Sequence, residues 1–157
     1  MTDLVVQAVA IEGPVHADQV TTRVRDAWGL KRTGGRIEEA VGKSVDIAVR
    51  LGRVIRRGQF LSLPDVVAVP RDRSEVVAAS LRKAEMLPPS EIEVAILIMV
   101  RKNFGATREQ VIQAVARGMG IQNTSAQVRS VIDDVVSSVL TARRLIEVEG
   151  MLTNAAD

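Results

Sequence analysis

The stretch Val20–Leu61, VTTRVRDAWGLKRTGGRIEEAVGKSVDIAVRLGRVIRRGQFL, aligns without a gap with Val111–Leu152, VIQAVARGMGIQNTSAQVRSVIDDVVSSVLTARRLIEVEGML, at a spacing of 91 residues. Eight positions are identical: Val20/Val111, Val24/Val115, Gly29/Gly120, Thr33/Thr124, Val45/Val136, Arg53/Arg144, Ile55/Ile146 and Leu61/Leu152. Unrelated sequences of average composition would share roughly three over this length. The conservative pairs Leu30/Ile121, Ile37/Val128, Val41/Ile132, Val49/Leu140, Val54/Leu145 and Phe60/Met151 fall at the apolar spacing of helices and strands. Upstream, a two-residue change of length brings Val5–Ile11 opposite Val94–Val100. Internal repetition of this kind predicts a doubled structural unit.

Each copy reads as three helices and a hairpin. A first helix over Asp3–Ile11 stops at Gly13-Pro14. Its partner starts at Ser90 after Pro88-Pro89, with Ser90-x-x-Glu93 as a capping box. The second helix covers Ala17–Trp28, with Val20, Val24, Ala27 and Trp28 on one apolar face. His16 stands where Thr107-x-x-Gln110 caps the matching helix, so it too falls at a helix start. Gly29 and Gly120 end these helices in the left-handed conformation. The third helix begins at Thr33 or Thr124, the latter with Gln127 as a capping box, and buries Ile37, Val41, Val45, Ala48 and Val49. Arg53–Leu63 is a pair of β-type runs around Gly58. The expected fold is mainly α with small β-hairpins: tandem winged helix-turn-helix-like units, each of three helices plus a wing. The units span 1–63 and 90–157, joined by a linker over 64–89 that holds the extended apolar run Val66–Val69. Units of this size are marginal alone and are expected to pack together.

Composition narrows the functional classes. Hydrophobic residues make up 46% and charged residues 25%, ordinary for a globular protein. The longest apolar run, Val94–Val100, is far short of a membrane span, and the chain starts without a signal-like segment. Zero cysteines exclude thiolate metal sites and a cysteine nucleophile, and fit a cytoplasmic setting. Aromatic residues are 2%, too few to stack single-stranded bases. The positive charge is concentrated: Met1–Ser62 has ten Lys/Arg against seven Asp/Glu, whereas Ser90–Asp157 has seven against eight.

Ile11-Glu-Gly-Pro14, Ala27-Trp-Gly-Leu30-Lys-Arg-Thr-Gly-Gly-Arg-Ile37 and Arg57-Gly-Gln-Phe60, with Leu87-Pro-Pro-Ser-Glu-Ile92 and Ala95-Ile96 downstream, resemble a bacterial domain of unknown function. That domain lies at the C-terminal end of very large superfamily 1 helicase-like (AAA-type ATPase) proteins. The resemblance covers nearly the whole chain and implies association with DNA-processing ATPases. Its motifs are turn and packing residues, and it hands over no catalytic residue.

Enzymatic constellations are thin. Gly42-Lys43-Ser44 has the end of a phosphate loop, but the preceding glycine, Gly35, is too far upstream and the tripeptide falls inside a helix. One histidine makes no multi-histidine metal site. Asp133-Asp134 and Glu91/Glu93 read as solvated helix faces. No cofactor or metal is expected, and the protein is read as non-enzymatic.

The basic residues of the first copy are the candidate site. Lys31, Arg32 and Arg36 surround the start of the third helix, with Thr33 as its cap, and Arg56 and Arg57 sit at the wing turn. Helix-turn-helix proteins present this helix end to duplex DNA, and such groups suit phosphates. Lys43 and Arg50 are weaker candidates, because Glu39–Lys43 and Asp46–Arg50 are spaced to pair with one another. In the second copy Gln122, Asn123, Glu147 and Val148 replace Lys31, Arg32, Arg56 and Arg57. The expectation is a duplex DNA-binding module acting through phosphates of the DNA and associated with a helicase-like ATPase. The alternative is a protein-docking or homodimerising module without direct DNA contact.

Overall fold

The computed structural model describes residues 1–30, 32, 34–76 and 79–155. The chain is mainly helical, with six α-helices and two small three-stranded antiparallel sheets among the described residues. It divides into two compact units, Met1–Val67 and Ala68–Asp157. The division falls inside the apolar run Val66–Val69, which forms no strand.

In the first unit, α1 (Thr2–Glu12) precedes β1 (Val15–His16), α2 (Ala17–Ala27), α3 (Gly35–Arg50), β2 (Ile55–Arg57) and β3 (Phe60–Ser62). In the second, α4 (Pro89–Lys102) precedes β4 (Ala106–Thr107), α5 (Arg108–Gly118), α6 (Ala126–Thr141), β5 (Leu145–Val148) and β6 (Met151–Asn154). The element order is the same, and the sheets are ordered alike, β1-β3-β2 and β4-β6-β5. Both ends of α2 and α3 lie 91 positions before those of α5 and α6. Val15 pairs with Leu61 as Ala106 pairs with Leu152, and Arg57 with Phe60 as Val148 with Met151.

The same spacing runs through the first helix, where a two-residue change was expected. Val5 and Val9 of α1 are buried as Ile96 and Val100 of α4 are. Each of the ten buried apolar residues of the first unit, from Val5 to Leu61, has a buried apolar residue 91 positions later. A helix face and a strand face recur only if the chain between them keeps its length.

The local signals explain most of these elements. His16 accepts a hydrogen bond from the Asp18 amide at the start of α2. Thr107 and Gln110 form a complete capping box on α5. Two expected caps are corrected. The first turn of α4 has Pro88 at its cap and Pro89 just inside, without a side-chain cap, because proline's fixed φ already suits that position; Glu93 instead pairs with Arg144. At α6 the cap is Ser125, one residue after Thr124, whose hydroxyl accepts from the Val128 amide. A two-residue strand has no alternation to read, so β1 and β4, which widen each hairpin to three strands, were missed.

Candidate nucleic-acid interface

The candidate residues of the first unit divide into neutralised and free cations. Lys43 is bound to Glu39 at 2.6 Å, as its spacing predicted. Asp46 does not pair with Arg50: its carboxylate lies 3.6 Å from Arg56 of β2. The hairpin brings Arg56 back over α3, a long-range contact that helical spacing cannot reveal. Arg56 also donates to the Gly58 carbonyl at 3.2 Å. Arg32, Arg36, Arg50 and Arg57 are exposed, and no carboxylate among the described residues pairs with them. Lys31 and Thr33 lie outside the described residues.

Arg56 and Arg57 do not act as a pair. Neighbouring residues of a strand point to opposite faces of the sheet. Arg56 lies opposite Leu61, which is fully buried, so it shares the inner face. Arg57 lies opposite Phe60 on the outer face, where the Phe60 ring meets His16 edge-on at 5.4 Å. Arg57 is the hairpin cation that projects away from the core.

The start of α3 is equally open. Its cap, Gly34, has no side chain to accept from the first-turn amides, whereas the matching helix α6 is closed by Ser125. Thr33, expected to cap α3, precedes that cap. A helix N-terminus without a side-chain cap, beside Arg32 and Arg36, makes a surface complementary to an anion. The phosphate-loop reading fails on geometry as expected: Gly42-Lys43-Ser44 lies within α3, with the Ser44 hydroxyl donating to the Ala40 carbonyl at 2.8 Å.

In the second unit the solvated-face reading of Glu91 is overturned. Glu91 is fully buried. Its carboxylate accepts from the Arg71 amide and side chain and from the Arg73 guanidinium at 3.0 Å. Arg73 is itself buried, donates to the Arg71 carbonyl at 2.8 Å, and its amide donates to the Met119 carbonyl at 3.0 Å. The segment Arg71–Ser74, inside the stretch read as a linker, is therefore a strap across the corner where α5 ends. Downstream, two 3₁₀ turns, Ala79–Arg82 and Ala84–Met86, bring Ala84 and Leu87 into the second core. Arg71 and Arg73 are eighteen to twenty residues from Glu91, and no local pattern marks such a contact.

Elsewhere, Asp133 pairs with Arg108, and Glu109 with Arg129. Hydrogen bonding to Arg129, then to Gln113, holds the Glu109 carboxyl down to about 2. A groove of about 640 Å³ lies between α4, α5 and β6, lined in part by Met99, Glu109, Gln113, Arg117 and Met151. No described helix is long and apolar enough to cross a membrane.

Compared with known proteins, residues 1–39 match the model of a family described as a protein of unknown function (DUF3320). The match covers α1, β1, α2 and the beginning of α3. No curated protein and no solved structure matches the chain significantly.

Proposed function

We propose that the chain is a duplicated winged helix-turn-helix protein without enzymatic activity, and that its first unit binds duplex DNA through phosphates. The shared element order, the constant 91-residue spacing and the matching buried positions support duplication. The observation that carries the DNA reading is the uncapped start of α3, flanked by exposed Arg32 and Arg36 that no described carboxylate neutralises. Arg57 on the outer face of the wing gives a second point of backbone contact, and Lys31 adds a charge by sequence. Asn123, Gln127 and Val148 stand at the positions of Arg32, Arg36 and Arg57 in the second unit, which leaves contact to the first. Association with a DNA-processing ATPase follows the family resemblance and is part of the same proposal.

Four cations on four phosphates give a slope of log K against log salt of about −3.6. Duplex titrations at three salt concentrations test this. Arg57→Glu should weaken binding and flatten the slope by about 1 or more. Arg56→Glu, which alters a residue already beside Asp46, should change it less. Equal effects of the two variants, or a slope near zero, would refute the interface.

The docking alternative draws on a different surface. Ile146, Val148 and Met151 stand exposed on the outer face of the second sheet, where the first unit has Ile55, Arg57 and Phe60. An apolar sheet face suits a protein partner. Light scattering that finds a stable dimer, together with absence of salt-dependent DNA binding, would favour that reading.

A further inference from the structure

The ends of α2 and α5 are built alike and covered differently. Trp28 and Met119 are the C-terminal caps of these helices, each followed by a glycine of positive φ, +66° at Gly29 and +78° at Gly120. In the second unit the strap lies on this corner. A Cβ on Gly120 would meet the Ser74 nitrogen at 2.2 Å and the Arg73 nitrogen at 2.6 Å, and Met119 is fully buried with Ile121 only 7% exposed. In the first unit a Cβ on Gly29 would meet nothing within 4 Å among the described residues. Trp28 is 43% exposed and Leu30 41%. The largest side chain in an aromatic-poor protein thus stands in the open at the position where its counterpart is sealed. The helical pattern placed Trp28 on the apolar face of α2, but it lies beyond the last buried turn.

We infer that the Trp28–Gly29–Leu30 corner is a docking site for an extended, acidic and apolar peptide segment of a partner protein. The strap shows the mode of seating: an extended chain passes close over the glycine, and one of its amides donates to the carbonyl of the capping residue. The charge differs. The strap carries Arg71 and Arg73 because the buried Glu91 receives them. Among the described residues the first unit has no buried acid; Arg25 is held by exposed Asp26, and exposed Arg32 follows two residues after Leu30. The complementary segment therefore carries carboxylates where the strap carries arginines, with apolar groups to cover Trp28. Exposed tryptophan beside arginine is the composition of an interface hot spot. The site lies at the turn before α3 and is separate from the wing.

The test uses the full chain and a labelled synthetic peptide, the sequence of residues 69–76 with both arginines replaced by glutamate. Saturable anisotropy is expected, with a blue shift of the emission of Trp28, the single tryptophan of the protein. Trp28→Ser should weaken binding at least tenfold, with an unchanged circular dichroism spectrum because Trp28 lies beyond the last buried turn of α2. Arg57→Glu should leave peptide binding unaltered, and Trp28→Ser should leave duplex DNA affinity unaltered, so this inference and the DNA reading fail separately. Absence of saturation up to millimolar peptide would overturn the inference. So would equal binding by Trp28→Ser, or equal binding of the arginine-bearing peptide.

Discussion

Replacing Glu91 by alanine removes the single acid that receives two arginines in the second unit. Glu91 is fully buried, and the Arg73 side chain is 8% exposed, whereas that of Arg71 is 43% exposed and keeps much of its hydration. The loss therefore falls mainly on Arg73, left as a buried charge of the strap without a carboxylate. Breaking a buried pair from one side costs about 3–5 kcal/mol. A small domain has a total of roughly 5–15 kcal/mol, so this is about a fifth of it or more. The exposed pair Glu93–Arg144 is the internal control, since pairs of that kind contribute about 0–1 kcal/mol. Urea denaturation followed by circular dichroism would measure both. Glu91→Ala should lower the midpoint sharply, Glu93→Ala barely. Because the cost is an uncompensated charge, Glu91→Leu combined with Arg73→Met should recover most of the stability. A loss below about 1 kcal/mol for Glu91→Ala, or no recovery in the double variant, would refute the reasoning.

Gly120→Ala should destabilise more than Gly29→Ala. Both force a side chain into positive φ, at about 1–2 kcal/mol, but only Gly120 also faces the strap backbone at 2.2 Å; equal losses in thermal melts would contradict the packing. Glu109 should give a pH-dependent contribution. Its folded-state carboxyl is depressed to about 2, so its stabilisation is complete above the ordinary glutamate range and fades as pH falls towards 2. The stability gap between the protein and Glu109→Gln should accordingly be widest near neutrality and close in acid, and a gap independent of pH would disprove the pairing. The cap on α5 makes a smaller claim: Thr107→Ala should cost about 1 kcal/mol by chemical denaturation, and no change would show the capping box to be idle.

The helices and the hairpins were legible because their causes are local. Apolar residues at helical spacing define α2, α3, α5 and α6, Thr107 with Gln110 starts α5, and Gly13-Pro14 stops α1. The comparison of copies also marked where charge is kept, at Arg32, Arg36 and Arg57, and where it is replaced. Whether a cation is available for binding depends on which acid the fold sets beside it, and that was not legible. Asp46 is four residues from Arg50 but meets Arg56 across the turn of the chain. Arg56 and Arg57 are adjacent in sequence and on opposite faces of the sheet. Periodicity and capping are read within a few residues, so the sequence by itself determined the elements. The burial of Glu91 under Arg71 and Arg73, the sealing of Met119 and the exposure of Trp28 depend on segments brought together from eighteen or more residues apart. Only tertiary packing decides which of two similar corners is covered, because cover is a property of what the rest of the chain places there.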